Sequence, residues 1–333
     1  MRMVNRRWFL SAAVTAMSLG ALLGGAMPSM SQTKAAQTLN VVVTTGMIGD
    51  IVRNVAGERA KLTQLMGEGV DPHLYKATRS DIAAMLNADI SFYNGLLLEG
   101  KMSDAFVRVA TSGKPVFAVT ELIDESSLLE PDGAAGHYDP HVWMDSRAWM
   151  KAVEVVRDKL AERDGDSAAA YRQNAERYLG EIRKLDAYAE QVLASVPAER
   201  RVLVTAHDAF NYFGRRYDFE VLGIQGISTE SEAGLKKIEE LVGLIVKRKI
   251  PAVFVESTIP ARSIEALVAG AKARGQEVKI GGELFSDAMG APGTYEGTYV
   301  GMIDHNVTLI ARALGGKTPE QGLNNRLALK GHR

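Results

Sequence analysis

The feature that most constrains the fold is an alternation of short β-branched runs with helical patterns, which occurs twice along the chain. The run Leu39–Thr45 and three later runs predict buried strands separated by helices. The alternation resumes at Arg201–Thr205, after one helical pattern of about thirty residues, Ser167–Ser195, that ends before Pro197. Strands that alternate with helices predict parallel sheets. We therefore predict an α/β fold of two doubly wound lobes with mainly parallel sheets, joined by one long rigid α-helix.

The N-terminal residues have the pattern of an export signal rather than of a folded element. Three arginines precede the apolar run Trp8–Met27, and no acidic residue occurs before Asp50. This pattern is typical of a secretory signal peptide, and the segment Asn5–Leu10 is similar to a twin-arginine signal. The alternative is an uncleaved membrane anchor, for which the Gly-, Ala- and Ser-rich run is barely long enough. We predict that the signal is cleaved and that the protein is periplasmic.

The predicted domain boundaries follow from these patterns. A chain of 333 residues has ample length for two domains. We expect a signal peptide, an N-terminal lobe, a linking helix, a C-terminal lobe and a tail, at residues 1–36, 37–166, 167–196, 197–322 and 323–333.

Composition excludes several classes of function. The 39 Lys and Arg residues nearly balance the 40 Asp and Glu residues, so nothing favours a nucleic-acid partner. The chain contains no cysteine, which excludes thiolate metal sites, cysteine nucleophiles and a lipid attached to an N-terminal cysteine. The simplest expectation is a free monomer in the periplasm.

Three of the six histidines occur in similar local settings. The phrase Asp-Pro-His appears twice, ending at His73 and at His141, and His207 follows the predicted strand Arg201–Thr205. A proline fixes the backbone directly before each of the first two histidines, which favours a preformed site. In parallel α/β sheets, ligands bind at the carboxyl ends of the strands, where such loops lie. We therefore predict that these three imidazoles converge.

A divalent metal ion is the ligand that such a cluster would bind. Without cysteine, the ion must be held by imidazole nitrogens and carboxylate oxygens. Asp287, in a loop after a predicted strand, is our choice for the fourth ligand, and Glu256 is the second choice. Glu230 and Glu232 also lie in a loop near the crevice.

Other acidic residues and histidines have simpler interpretations. Asp71, Asp139 and Asp208 lie one or two residues from the three histidines and are candidates to orient their rings, although Asp208 is equally well placed to cap a helix. His137 is expected to be solvated, and His305 to be a surface or packing residue. His332 lies in a tail that is expected to be disordered. The glycine-rich pieces match neither a Rossmann nor a phosphate-loop pattern.

The chain resembles the metal-binding subfamily of ABC-transporter solute-binding proteins, the zinc and manganese receptors of the TroA, PsaA and ZnuA types. The motifs that carry the resemblance are Asp71–Tyr75, Asp139–Asp145, Thr205–Phe210 and Leu284–Asp287. The resemblance implies two lobes linked by a rigid helix and a metal bound between them by His73, His141, His207 and Asp287. It also implies that Mn²⁺ or Zn²⁺ is the transported ligand, delivered to a membrane permease with a cytoplasmic ATPase.

The resemblance leaves the choice of metal open. Dedicated zinc receptors of this family carry a His- and acid-rich loop, whereas the corresponding loop here, Glu121–Tyr138, contains only His137. Many manganese receptors have a glutamate where this chain has His207. The set of three histidines and one aspartate is most similar to the TroA pattern, which is linked to both metals.

A periplasmic zinc-dependent hydrolase is the alternative function. A catalytic zinc ion keeps three protein ligands and one position for water, whereas four protein ligands favour carriage over catalysis. We therefore predict a receptor that is not an enzyme. Because ligand histidines must be neutral, we expect its metal affinity to fall below a pH of about 6.5.

Overall fold

The computed structural model describes residues 38–131, 136–232 and 234–328. The predicted signal peptide and the end of the predicted tail lie outside these residues. None of the helices in the described ranges has both the length and the apolar character needed to cross a membrane.

The first lobe is a four-stranded parallel sheet with helices on both faces. Its elements are β1 (Leu39–Val43), α1 (Gly46–Ala56), β2 (Ala60–Gln64), α2 (Arg79–Asn87), β3 (Ile90–Tyr93), α3 (Ser103–Thr111), β4 (Val116–Ala118) and α4 (Ser146–Arg163). The strand order is β2-β1-β3-β4 and every pairing is parallel. On the central strand, Val41 and Val43 pack in the core that contains α1, while Val42 packs with residues of α2 and α3. This burial on both faces is typical of a doubly wound sheet.

A helix of 27 residues, α5 (Ala168–Ala194), follows the first lobe. At about 1.5 Å per residue it is roughly 40 Å long. It packs against α1 and α4. The hydroxyl of Tyr178 on this helix donates to a buried carboxylate oxygen of Asp50 on α1, at 2.7 Å. The predicted long helix is therefore confirmed.

The second lobe repeats the arrangement of the first. Its elements are β5 (Val202–His207), α6 (Asn211–Tyr217), β6 (Glu220–Gln225), α7 (Leu235–Arg248), β7 (Ala252–Glu256), α8 (Arg262–Ala273), β8 (Lys279–Leu284) and α9 (Tyr299–Ala313). β5 pairs with β6 and β7 pairs with β8, both in parallel, and β5 lies beside β7. The spatial order β6-β5-β7-β8 matches the order in the first lobe. In each lobe the strand order reverses between the two central strands, and such a switch point is where parallel α/β sheets bind ligands.

Helix α9 connects the second lobe to the rest of the molecule. It packs against α5 and β8. The backbone N–H of Tyr299, at its first residue, donates to the same Asp50 oxygen that Tyr178 contacts, at 3.1 Å. Asp50 therefore joins α1, α5 and α9 within one compact unit, residues 36–333.

Strand β8 is longer than the sequence indicates. The sequence predicts a strand at 278–280 that leads into the segment beginning with Gly281-Gly282. The structure continues the strand to Leu284. Gly281 packs so closely against Phe254 that a Cβ would lie 2.6 Å from its ring, and Gly282 has a φ of 140° near a shift in the β7–β8 register. Gly281 therefore allows a close approach to Phe254, and Gly282 allows a bulge in the strand.

Candidate metal centre

Four buried side chains meet between the two lobes. His73 lies in the loop between β2 and α2, and His141 lies in the connection from β4 to α4. His207 is the last residue of β5, and Asp287 follows β8 by three residues. His73 is 4% exposed, Asp287 is 1% exposed, and His141 and His207 are fully buried. Each residue offers one ligand atom, and these four atoms all lie within 4.8 Å of one another.

The Nε2 atoms of the three histidines lie near the carboxylate of Asp287. Its Oδ2 lies 3.2 Å from Nε2 of His207 and 3.7 Å from Nε2 of His73, and its Oδ1 lies 3.4 Å from Nε2 of His141. The Nε2 atoms of His73 and His141 are 3.3 Å apart. Three imidazole nitrogens and one carboxylate are a donor set suited to a divalent transition metal.

The carboxylate of Asp139 orients His141. Its Oδ1 accepts from the backbone N–H of His141 at 2.9 Å and lies 2.7 Å from Nδ1 of the ring. Asn211, at the start of α6, donates to the other oxygen of Asp139 at 3.1 Å, and Tyr212 donates to its carbonyl at 2.8 Å. With Nδ1 bound to a carboxylate, Nε2 is directed at the cluster. The suggested orienting role is therefore confirmed for Asp139.

Glu256 orients His207 in the same way. Its Oε2 lies 2.6 Å from Nδ1 of His207, and its Oε1 accepts from the backbone N–H of the same residue at 2.9 Å. Glu256, our second choice for the fourth ligand, thus contacts a ring of the cluster, whereas Asp287 is the carboxylate among the four converging groups. β5 and β7 are neighbours. Glu256, the last residue of β7, therefore reaches the Nδ1 edge of His207, the last residue of β5.

Replacing Glu256 with glutamine is expected to weaken Zn²⁺ binding by roughly tenfold to a hundredfold. The amide keeps the size of the side chain but has one acceptor fewer, so it cannot serve both the ring and the backbone N–H of His207. Competition with a chelator measures the change. Glu283→Gln, at an exposed position on β8, is the matched control. Equal affinities for the two variants would contradict the orienting role.

The buried charges shift the pKa values of the cluster in opposite directions. Burial lowers the pKa of His73 to about 4. Burial also acts to lower the pKa of His141, but Asp139 and Asp287 outweigh it and raise the pKa to about 9. For His207, Glu256 and Asp287 likewise outweigh burial and hold the pKa well above its usual value. Although burial alone would raise the pKa of Asp287, the positive charges of His207 and His141 hold it well below its usual value.

The donor groups themselves are consistent with a cation between them. Both carboxylate oxygens of Asp287 and Nε2 of His207 are buried without a well-formed hydrogen bond to any described residue. Buried polar atoms of this kind are rare and costly unless another partner satisfies them. A bound metal ion would satisfy these atoms together. A cavity of about 640 Å³ is lined by Asp287 together with Glu68 and Arg53.

The other candidate residues lie away from the cluster. His137 is exposed, as predicted. His305 packs its ring 4.9 Å from that of Phe285 and contacts a backbone carbonyl, which confirms a packing role. Glu230 and Glu232 are exposed and pair with Lys101 and Arg262, respectively.

Asp208 neither caps a helix nor orients a histidine ring. Its Oδ1 accepts from the backbone N–H of Gly223 at 2.8 Å, which joins it to β6. Helix α6 begins only at Asn211, and its N-cap residue is Phe210. The capping role considered for Asp208 is therefore wrong, because the neighbouring strand β6 engages this carboxylate.

Two parallel α/β lobes with convergent donor groups between them define a two-lobed ligand-binding protein. The family can be stated more closely. The model of the family described as zinc-uptake complex component A, periplasmic (ZnuA), matches residues 41–313, and the chain belongs to this family of metal ABC-transporter solute-binding proteins. The resemblance noted in the sequence is thereby confirmed, and the hydrolase alternative has no support from the comparisons. This family is not one of enzymes.

Individual relatives match over most of their length. The zinc-binding protein TroA of Treponema pallidum (strain Nichols) is 48% identical over 299 residues, which cover 90% of this chain and 96% of the relative. The manganese-binding lipoprotein MntA of Bacillus subtilis (strain 168) is 46% identical over 280 residues, which cover 84% of this chain and 91% of the relative. A solved structure of periplasmic zinc-binding TroA from Treponema pallidum has a TM-score of 0.81 at 49% identity, covering 83% of this chain and 99% of the other.

Proposed function

We propose that this protein captures Mn²⁺ or Zn²⁺ and delivers it to the membrane permease of an ABC transporter driven by a cytoplasmic ATPase. The ligands in this proposal are His73, His141, His207 and Asp287. The observation that carries it is the convergence of these four buried donors from both lobes. Relatives named as manganese-binding and zinc-binding support the same class of ion.

The number of protein ligands favours carriage over catalysis. A catalytic zinc ion keeps one coordination position open for water. Here four side chains surround the proposed position, and two of the rings are fixed by Asp139 and Glu256. The proposed receptor therefore has no enzymatic activity.

The donor set fits both metals for different reasons. Three imidazole nitrogens suit zinc, which also exceeds manganese in intrinsic affinity. If Asp287 binds through both oxygens, it adds a fifth donor, which suits manganese better. Manganese and zinc together are therefore the proposed substrate class.

The proposal includes the organisation and location of the chain. We propose a signal peptide at 1–36, lobes at 37–166 and 197–322, a linking helix at 167–196 and a tail at 323–333. The mature protein in this proposal is a periplasmic monomer. The helical junction at Asp50, which joins α1, α5 and α9, favours a small hinge movement over a wide closure of the lobes.

Elemental analysis of the protein purified from the periplasm of its own cells tests the proposal. We expect a stoichiometric amount of manganese or zinc in the wild type. The same analysis of His141→Ala, purified in parallel, shows whether the metal is held at the proposed site. A wild type without either metal, or a variant as fully loaded as the wild type, would contradict the proposal.

Metal affinity is expected to rise with pH up to about 9. An imidazole must lose its proton before it binds metal, so a raised pKa makes protons stronger competitors. The carboxylates beside them raise the pKa of His141 to about 9 and the pKa of His207 well above its usual value, which favours the protonated rings in the metal-free protein. The pH range over which metal affinity rises therefore lies above the value of about 6.5 that an unperturbed histidine predicts.

Proton release gives a direct measurement of this competition. Exchange of two protons for one divalent cation leaves the net charge of the buried site unchanged, so it avoids the cost of adding charge there. Calorimetry near pH 7 in two buffers of different ionisation enthalpy is expected to show about two protons released per Zn²⁺ bound. Release close to zero, or an affinity that is flat above pH 7, would contradict the assigned protonation states.

A further inference from the structure

His73 differs from the other two histidines in how its ring is held. Asp139 contacts Nδ1 of His141 and Glu256 contacts Nδ1 of His207. Within the described ranges, no carboxylate makes the corresponding contact with His73. Its ring is also the most exposed of the four cluster members, at 4%. The position of His73 therefore depends on the backbone of its loop.

A hydrogen bond between the lobes fixes that backbone. Oδ1 of Asp71 accepts from the backbone N–H of His73 at 2.9 Å. Oδ2 of the same carboxylate accepts from the hydroxyl of Thr229 at 2.6 Å. Thr229 belongs to the loop between β6 and α7 in the second lobe, 158 residues away in sequence. One carboxylate thus connects the loop of a first-lobe histidine to the second lobe.

Thr229 is the buried part of this contact between the lobes. It is 8% exposed, whereas the adjacent Ser228 and Glu230 are both exposed. The neighbouring ion pair between Lys101 and Glu230 is 3.7 Å long and partly exposed, and such pairs contribute little in water. A hydrogen bond to a carboxylate is stronger, particularly away from water. The Thr229 hydroxyl is therefore the main polar link between this loop and the first lobe.

We propose that Thr229 is a positioning residue that acts through Asp71 on His73 and sets how long the metal ion stays bound. This inference rests on the proposed function. An ion leaves a four-ligand site one ligand at a time, and the ligand held only through its backbone is the first to leave. The Thr229 hydroxyl restrains that first step by fixing the Asp71 carboxylate. When Thr229 releases Asp71, the loop carrying His73 is free to move away from the ion.

The test compares rates of metal loss. Wild type and Thr229→Val are loaded with Zn²⁺ and mixed rapidly with excess fluorescent chelator. Valine has the shape of threonine without the hydroxyl, so we expect dissociation to be about tenfold faster, with association changed by less than about twofold. Thr229→Ser keeps the hydroxyl and should dissociate at close to the wild-type rate. Ser228→Ala removes an exposed hydroxyl from the same loop and should also match the wild type.

A double-mutant cycle identifies the path of the effect. If Thr229 acts through Asp71, then Thr229→Val added to Asp71→Ala should cause no further increase in the dissociation rate. A full additional effect would overturn the inference. Equal rates for wild type and Thr229→Val would also overturn it, while leaving the proposed function intact.

Hydrogen exchange separates the two proposals. In the metal-free protein, Thr229→Val is expected to speed exchange of the His73 amide, because Asp71 loses one of its two restraints. Unchanged exchange would overturn the inference whether or not the protein carries metal. A wild type that takes up no Zn²⁺ would overturn the proposed function and with it the assigned effect on metal retention.

Discussion

Replacing His141 with alanine is expected to weaken Zn²⁺ binding by more than about a hundredfold while leaving the protein folded. Structural zinc sites with four ligands bind with roughly 12 kcal/mol, so one ligand is worth about 3 kcal/mol. Each 1.4 kcal/mol corresponds to about a tenfold change in affinity. His141 is fully buried, and alanine supplies no donor atom in place of the ring nitrogen.

The fold is expected to survive because the polar partners of His141 keep other contacts. Asp139 would still accept from the backbone N–H of residue 141 and from Asn211. Trp143, whose ring lies 5.2 Å from that of His141, donates to the carbonyl of Ser286. Neither interaction uses the imidazole. The variant therefore tests the ligand rather than the scaffold.

His305→Gln is the matched control for this experiment. It removes a histidine of the second lobe whose ring packs on Phe285 outside the cluster, and glutamine can still donate to the carbonyl of Glu283. Chelator competition should give the wild-type affinity for this variant. Circular dichroism melts of the metal-free proteins establish that both variants are folded. An affinity for His141→Ala equal to that of the control would show that His141 is not a ligand.

The sequence alone predicts the architecture because strand and helix patterns are local. The β-branched run at Leu39 and the uninterrupted helical pattern of α5 each depend on neighbouring residues, and both elements form where expected. The convergence of the three histidines was also predictable. Each follows a strand of a parallel sheet, and the carboxyl ends of such strands face one crevice.

The misassigned residues are those whose roles depend on contacts distant in sequence. The Gly281-Gly282 pair has the composition of a loop, and only its packing against Phe254 explains why the strand continues. Glu256 was correctly placed near the site. Its contact with Nδ1 of His207, rather than with the metal position, depends on the adjacency of β5 and β7. Strand order cannot be read from one sequence with that accuracy.

The pH window that a lone histidine predicts differs from the one that the structure favours, for a related reason. A histidine considered by itself predicts protonation near 6.5. His141 and His207 each face two carboxylates in the structure, and these raise their pKa values above that of an isolated imidazole. His73 faces one carboxylate and two other rings, and burial dominates its pKa. The pKa values of three similarly placed histidines are therefore shifted in different directions, which only the three-dimensional arrangement determines.

Replacing Gly301 with alanine is expected to destabilise the protein by about 3 kcal/mol. A Cβ at this position in the first turn of α9 would lie 1.8 Å from the carbonyl oxygen of Tyr295 and 2.3 Å from its carbon. These are backbone atoms, so no change of rotamer relieves the overlap, and either the helix or the preceding loop must move. The adjacent Tyr299 contacts both Asp50 and the carbonyl of Trp143. The displacement should therefore also reach the packing beside His141 and weaken metal binding.

Gly180→Ala provides the contrast for this prediction. Gly180 lies within α5, and a Cβ there would meet no atom within 4 Å. Alanine is favoured over glycine inside a helix by about 1 kcal/mol, so this variant should be more stable than the wild type. Urea unfolding of the metal-free proteins compares the two substitutions on one scale. Because both replace a helical glycine with alanine, a Gly301→Ala variant no less stable than the wild type would show that the close approach of α9 to Tyr295 does not limit stability.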